Sequence, residues 1–440
     1  MTQGTEAAGA EASAGGFFHT FLGRLAQVRP GEAPVLGWAW LYIFSVLSSY
    51  YIMRPIRDQM GVAGGVNNLQ WLFTGTLVGM LLLNVPYAYL VKTLPRTRFI
   101  TITYRFFAAN ILLFAIALHF ADAEQTIWIG RAFFIWISIF NLFVVSVFWA
   151  LIVDTFNSEQ GKRLFGFIAA GATIGAITGS TITATFARHV PTPLLLVGAI
   201  ILIEAAVFSV RHLSRLSEAL NARPHESPGS PVGGNVFAGI THPFRSAYLA
   251  NVSLFIVLFA ITATFLYFQQ ASLVRDNFHD RGAQTAFFAQ IDLAVNVITL
   301  VVQLFFTGRI VGILGVGLTL AILPALTLLG FGALAVLPAV STLVVFQVLR
   351  RSSDYAIARP TREVLYTVVP REDRYKAKNF IDTVVYRGGD QVGAWAYALI
   401  AMTGFGSALM ATIAIGLAAV WLVNGLWLGR RQALLASREG

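Results

Sequence analysis

The chain has 440 residues, of which 56% are apolar and only 12% are Asp, Glu, Lys or Arg. Soluble domains carry about 25% charged residues, so a water-facing enzyme, a nucleic-acid-binding module and a disordered chain are excluded, and a mean hydropathy of +0.69 agrees. The formal charge of +10 does not point to nucleic acid, because cations in a membrane protein record which loops stay in the cytoplasm, and with no Cys there is no disulfide, thiolate chemistry or Cys-based metal site.

A spanning helix needs about 20 mostly apolar residues. Twelve stretches qualify, near 36–53, 69–91, 99–120, 126–152, 164–187, 193–211, 247–271, 284–307, 311–335, 338–357, 379–401 and 407–428. They are continuously apolar rather than alternating, which excludes a β-barrel. The fold class expected is therefore all-α and polytopic, with no enzyme activity, cofactor or metal. Residues 1–30, opening MTQGTEAAGAEASAGG, are small and polar, lack the basic start of a signal peptide, and are expected to form a disordered cytoplasmic tail. A first bundle is expected over 31–211, a Pro/Gly/Ser-rich cytoplasmic linker over 212–246, a second bundle over 247–429 and a short cytoplasmic tail over 430–440.

Orientation follows from the basic residues. With both termini and the even-numbered loops in the cytoplasm, 23 of the 31 Lys and Arg lie inside, including eight between Arg350 and Lys378. Only Arg54, Arg57, Arg188, Arg275 and Arg281 fall at or beyond the outer boundary, while Arg105, Arg131 and Arg387 fall within helices. The two bundles look like repeats. Shifted by 213 residues, Glu159 meets Glu372, Arg163 meets Lys376, Phe167-Ile168 meets Phe380-Ile381, and Gly175 meets Gly388. Two parallel six-helix halves resemble the architecture of the major facilitator superfamily, in which the site lies at the midplane between them. Gly171, Gly175 and Gly179 give helix five a face of small residues suited to close helix packing, and Gly75 and Gly79 do so more weakly on helix two.

Ionisable side chains within spanning helices are expensive and mark partners or pathways. The first cluster is SSYYIMRPIRDQMG at the end of helix one, with Tyr51, Arg54, Arg57 and Asp58. Its two arginines share a face and suit a phosphate or carboxylate. On helix eleven, Asp382, Tyr386 and Asp390 recur at four-residue spacing beside Arg387, a possible ion pair with one carboxylate left to relay a proton. Asp292, with Asn296 four residues on, is a further candidate, Glu204 stands alone, and TFLYFQQ on helix seven offers Tyr267, Gln269 and Gln270. Arg105 and Arg131 lie within snorkelling reach of headgroups. A mixed-charge segment over 350–379 reads as cytoplasmic, with Arg and Glu able to form gating salt bridges.

Three stretches together resemble the ATP:ADP antiporter family, the nucleotide transporters of plastids and intracellular bacteria. They are YYIMRPIRDQMG (50–61), FWALIVDTFNSEQGKRLFGFIAAGATIGAITG (148–179) and DYAIARPTREVLYTVVPREDRYKAKNFIDTVVYRGGD (354–390). The resemblance implies Arg57 in place of the family's helix-one lysine, beside Arg54 and Asp58, with Arg362 and Glu363 ending helix ten and Lys378 and Asp382 entering helix eleven. Two departures stand out: the family's helix-four acid has only Asn141 as a polar neighbour here, and Asp390 stands where the family has a lysine. The expectation is a monomeric carrier in a bacterial inner membrane, surrounded by lipid and binding no nucleic acid. It would move a small anion by alternating access, with nucleotide exchange first. Arg54, Arg57, Tyr51, Tyr386 and Arg387 would bind solute, and Asp58, Asp382, Asp390, Arg362, Glu363 and Lys378 would couple or gate. Alternatives are a proton-coupled carrier of another organic anion or drug-like solute, and a non-transport membrane enzyme or assembly factor.

Overall fold

Apolar runs of this length satisfy their backbone hydrogen bonds internally only as helices or a closed barrel. A computed structural model shows helices throughout. It describes residues 28–29, 31–156, 158–220, 246–369, 377–378, 380–404 and 406–439. The expected tail up to residue 27 (with Arg24), linker residues 221–245 (with Arg223 and Arg245) and residues 370–376 (with Arg371, Glu372, Asp373, Arg374 and Lys376) lie outside the described residues.

The helices are α1 (Glu32–Ala63), α2 (Leu69–Thr93), α3 (Arg96–Phe120), α4 (Ala123–Thr155), α5 (Ser158–Phe186) and α6 (Thr192–Leu220) in the first half. The second half has α7 (Ala247–Asn277), α8 (Arg281–Phe305), α9 (Thr307–Val336), α10, α11 and α12 (Gly406–Glu439). Here α10 is Val340–Ser353 continued through a π turn, Asp354–Ala358, into Arg359–Leu365, and α11 is a π turn, Ile381–Val385, continued into Tyr386–Met402. Among the described residues, ten helices are long and apolar enough to cross a membrane. The other two, α10 and α11, traverse the bundle beside them and carry its densest polar residues.

Several boundaries differ from the sequence expectation. Helix α1 does not stop near residue 53. It runs through Pro55 to Ala63, where Gly64 and Gly65 end it, Gly65 taking φ 91°, a conformation glycine adopts without strain. Residues 212–220 extend α6 and residues 430–439 extend α12, because neither stretch contains a Gly or Pro to break the helix. At the start of α4, the Asp122 carboxylate accepts from the Gln125 amide at 2.8 Å, and the Gln125 side chain accepts from the Asp122 amide at 3.2 Å. This reciprocal cap lets α4 begin sharply after α3. Asp122→Ala is expected to destabilise the protein by about 1 kcal/mol, read as a lower unfolding midpoint in detergent.

The two halves repeat one packing scheme. Helix α1 packs on α5 and α6, and α3 on α6; likewise α7 packs on α11 and α12, and α9 on α12. Across the interface, α2 meets α11 and α5 meets α8, again equivalent pairs. The glycines set the closest approaches. A Cβ on Gly175 would lie 2.5 Å from the Phe44 carbonyl oxygen of α1, and one on Gly179 would overlap the Ser48 carbonyl oxygen. Gly171 faces Trp40, while Gly75 and Gly79 face Ile135 and Ile139 of α4. In the second half Gly388 touches nothing, and the tight contacts with α7 are made by Gly389 and Gly393. The repeat register therefore slips by one residue between Ile381 and Gly389. The π turn Ile381–Val385 supplies that residue, since an inserted residue widens one helical turn.

Each half has its own apolar core, and one further cluster joins them. It brings Val62, Leu69, Leu72 and Phe134 against Phe268, Phe287, Phe288 and Ile291. Polar links reinforce it: Gln59 to Gln284 at 3.5 Å, Thr74 to Gln391 at 3.0 Å, and the Trp395 indole N–H donating to Thr74 at 3.1 Å. These contacts sit toward the end of the bundle remote from the described chain termini. Among the described residues no comparable apolar cluster joins the halves at the terminal end.

Candidate functional site

Below that seal the polar faces of α1, α2, α4, α7, α8, α10 and α11 enclose a cavity of about 250 Å³. Arg54, Arg57 and Asp58 enter from α1, and Arg387 and Asp390 from α11 with Tyr386. Helix α10 contributes most: Gln347, Arg350, Arg351, Asp354, Tyr355 and Arg359. Thr76 of α2, Ser138 and Asn141 of α4, Thr264, Tyr267 and Gln270 of α7, Asp292 of α8 and Gln391 of α11 complete the polar lining.

These positions revise two sequence expectations. Arg54 and Arg57 do not lie at the outer boundary; the added length of α1 carries them into the bundle, where their side chains are 16% and 14% exposed. Arg350, Arg351, Asp354 and Arg359, expected in a mixed-charge segment with gating salt bridges, line the cavity inside the bundle instead. Helix α10 continues through them, and its π turn keeps Asp354, Tyr355 and Arg359 facing the cavity. Their signal was present in the sequence: Gln347, Arg350, Arg351, Asp354, Tyr355 and Arg359 follow three- and four-residue spacing, the trace of one helical face.

Six guanidinium groups face four carboxylates in this lining. Three carboxylates each have one arginine. Asp58 pairs with Arg57 at 2.6 Å and accepts from the Tyr267 hydroxyl at 3.1 Å, a contact between halves. Asp354 pairs with Arg359 at 3.0 Å across the α10 π turn. Asp390 is held more loosely, 3.3 Å from Arg387 and 3.4 Å from the Thr264 hydroxyl. Arg350 is satisfied by neutral oxygens, the hydroxyls of Thr327 and Thr262 and the Phe259 carbonyl, each at 3.2 Å. That leaves Asp292, 2% exposed, whose Oδ1 takes Arg351 at 2.7 Å and Arg54 at 3.5 Å.

The remaining sequence candidates divide plainly. Tyr51 stands behind the lining, its hydroxyl 3.5 Å from Arg54 and its ring under the same guanidinium. Asp382 does not share the cavity with Tyr386 and Asp390; the π turn breaks their four-residue face, and Asp382 pairs with Arg362 at 3.6 Å. Lys378 and Glu363 form a neighbouring pair at 2.5 Å. Both pairs join the ends of α10 and α11 within the second half and do not bridge the halves. Glu204 does not stand alone, since Arg105 reaches it at 3.3 Å. Arg131 donates to the Gly64 carbonyl at 3.0 Å and lies over the Trp128 ring. Gln270 accepts from Gln347, while Gln269 lies outside the lining.

No protein-family model matches the chain, and no curated protein matches it in sequence. In three dimensions it is similar to a bacterial homologue of the iron transporter ferroportin in an inward-facing state, with TM-score 0.65 and 11% identity over 90% of this chain and 98% of that one. It is also similar to a POT family transporter in complex with 5-aminolevulinic acid, with TM-score 0.61 and 12% identity over 89% and 96%. A third is a bacterial homologue of the human lysosomal transporter Spinster, inward-facing and unoccupied, with TM-score 0.54 and 12% identity over 93% and 96%. At these identities the likeness is one of fold: the chain is a multi-pass helical membrane protein with the major facilitator architecture. It does not extend to the narrower ATP:ADP antiporter family.

Proposed function

We propose that this major facilitator fold moves an anionic solute by alternating access, with the solute held in the cavity between the halves. The observation that carries this reading is the lining itself, in which arginines outnumber carboxylates by two at a depth where charge is retained for a partner or a path. Guanidinium forks suit carboxylate and phosphate oxygens. The seal at the end remote from the termini matches the closed side of a rocking carrier. We place both termini in the cytoplasm of a bacterial inner membrane, on the positive-inside bias.

Nucleotide exchange, implied by the sequence resemblance, is the first substrate to test. Phe73, Phe134, Phe288 and Tyr355 supply rings against which a base could stack. A magnesium-free triphosphate exceeds the lining's excess of two by more than a diphosphate does, so ADP fits better than ATP and a smaller anion better still. Proteoliposomes preloaded with unlabelled ADP should accumulate labelled ADP by counterflow. Absence of counterflow from protein that keeps its unfolding transition would sink the nucleotide substrate.

The loose hold on Asp390 favours a second reading, a proton-coupled carrier of another organic anion. Under it, an imposed pH gradient drives uptake of the transported anion and Asp390→Asn abolishes that drive. Uptake indifferent to the gradient in the unsubstituted protein overturns the coupling.

A further inference from the structure

Among the cavity's ion pairs, the Arg54–Asp292–Arg351 group differs in two respects. One carboxylate serves two guanidinium groups, both through the same oxygen, Oδ1. Moreover, Asp292 Oδ2 and Arg54 Nε are buried without a hydrogen-bond partner among the described residues, and Arg351 Nη2 meets Asp292 Oδ1 at 2.7 Å as an ion pair outside hydrogen-bonding geometry. Buried polar groups are normally satisfied, and a half-satisfied ionic network is worse than an apolar core. The group also spans the interface, Arg54 belonging to the first half and Asp292 and Arg351 to the second.

We propose that Asp292 is a resident stand-in for the solute's acidic group. A solute carboxylate or phosphate takes Arg54 from it and bridges Arg54 and Arg351, satisfying the open Arg54 Nε. Without solute, Arg54 and Asp292 tie the halves together; with solute, the solute makes the tie. A ligand shifts a conformational equilibrium only through its different interactions with the two states, and this substitution supplies the difference. The solute class is thus an anion with one compact acidic group able to lie between two guanidinium groups. This rests on the anion-carrier reading above and makes Asp292 a competitor for the binding site rather than a ligand of the solute.

Two measurements on the purified full-length protein test it. Binding of inorganic phosphate and of succinate is titrated calorimetrically for the unsubstituted protein, Asp292→Asn and Asp292→Glu. Removing the competitor should tighten binding of at least one anion by about tenfold, and Asp292→Glu should restore the original affinity. Unchanged or weaker binding by Asp292→Asn overturns the inference and leaves the anion reading standing. Absence of saturable binding by every form overturns both.

The second measurement needs no ligand. The chain contains no Cys, so spin labels at Thr93→Cys and Ser437→Cys, both exposed and on opposite halves at the terminal end, report their separation. Asp292→Asn should redistribute the population between separations, and Asp292→Glu should not. An unaltered distribution in Asp292→Asn overturns the inference.

Discussion

Arg54→Gln is expected to weaken anion binding and uptake by at least about a hundredfold, the effect of roughly 3 kcal/mol. Glutamine stays polar but is shorter, and it removes the charge and the fork. Asp292 keeps its closer partner, Arg351 at 2.7 Å, so the fold should survive with its unfolding midpoint little changed. Losing only the 3.5 Å contact leaves no isolated carboxylate to disrupt the core. The matching change at Arg351 should be worse for folding, because it strands Asp292, 2% exposed, with the distant cation alone; unpaired buried charges cost about 3–5 kcal/mol. Measuring uptake together with the unfolding transition separates the two effects. If Arg54→Gln retains full uptake, Arg54 does not bind the solute.

Gly179→Leu should be the most disruptive single change in the first half. Its Cβ would overlap the Ser48 carbonyl oxygen and meet the Tyr51 side chain at 3.0 Å. The first contact is with backbone, which cannot swing aside as a side chain can. The same surface is pinned by the Ser48 hydroxyl donating to the Gly175 carbonyl at 3.0 Å. Overpacking of this kind costs about 1–3 kcal/mol, and two packed backbones place it at the upper end. Any relief must come from moving α1, which carries Arg54, Arg57 and Asp58 into the cavity. Loss of stability and of uptake should therefore appear together. Gly166→Ala is the control: nothing lies within 4 Å of its Cβ position, and relief of glycine's backbone entropy should leave stability unchanged or raised by up to about 1 kcal/mol. A Gly179→Leu protein as stable as the control would show that α1 and α5 do not pack as described.

The contrast between these two glycines marks what was legible beforehand. Small residues at four-residue spacing on helix five are visible in sequence because helix periodicity puts them on one face. Which glycine of the second half is equivalent was not visible. A single-residue π turn leaves no trace in hydropathy, yet it moves the tight contacts from Gly388 to Gly389 and turns Asp382 away from Asp390.

The sequence by itself determined the membrane class, the helical fold and the division into halves. Those depend on the length and order of apolar runs, which are local properties that the bilayer enforces on any chain. It also singled out Arg54, Arg57, Asp58, Arg387 and Asp390, because a charge inside an apolar run is conspicuous. Only the tertiary structure decided which charges meet. Arg351 lay where predicted helix ten runs into a mixed-charge stretch that reads as cytoplasmic, and Asp292 and Arg54 are far apart in the chain. Their pairing depends on where α10 ends and on how the two halves pack against each other, and short-range hydrogen bonding and burial across that interface are not encoded in any one segment.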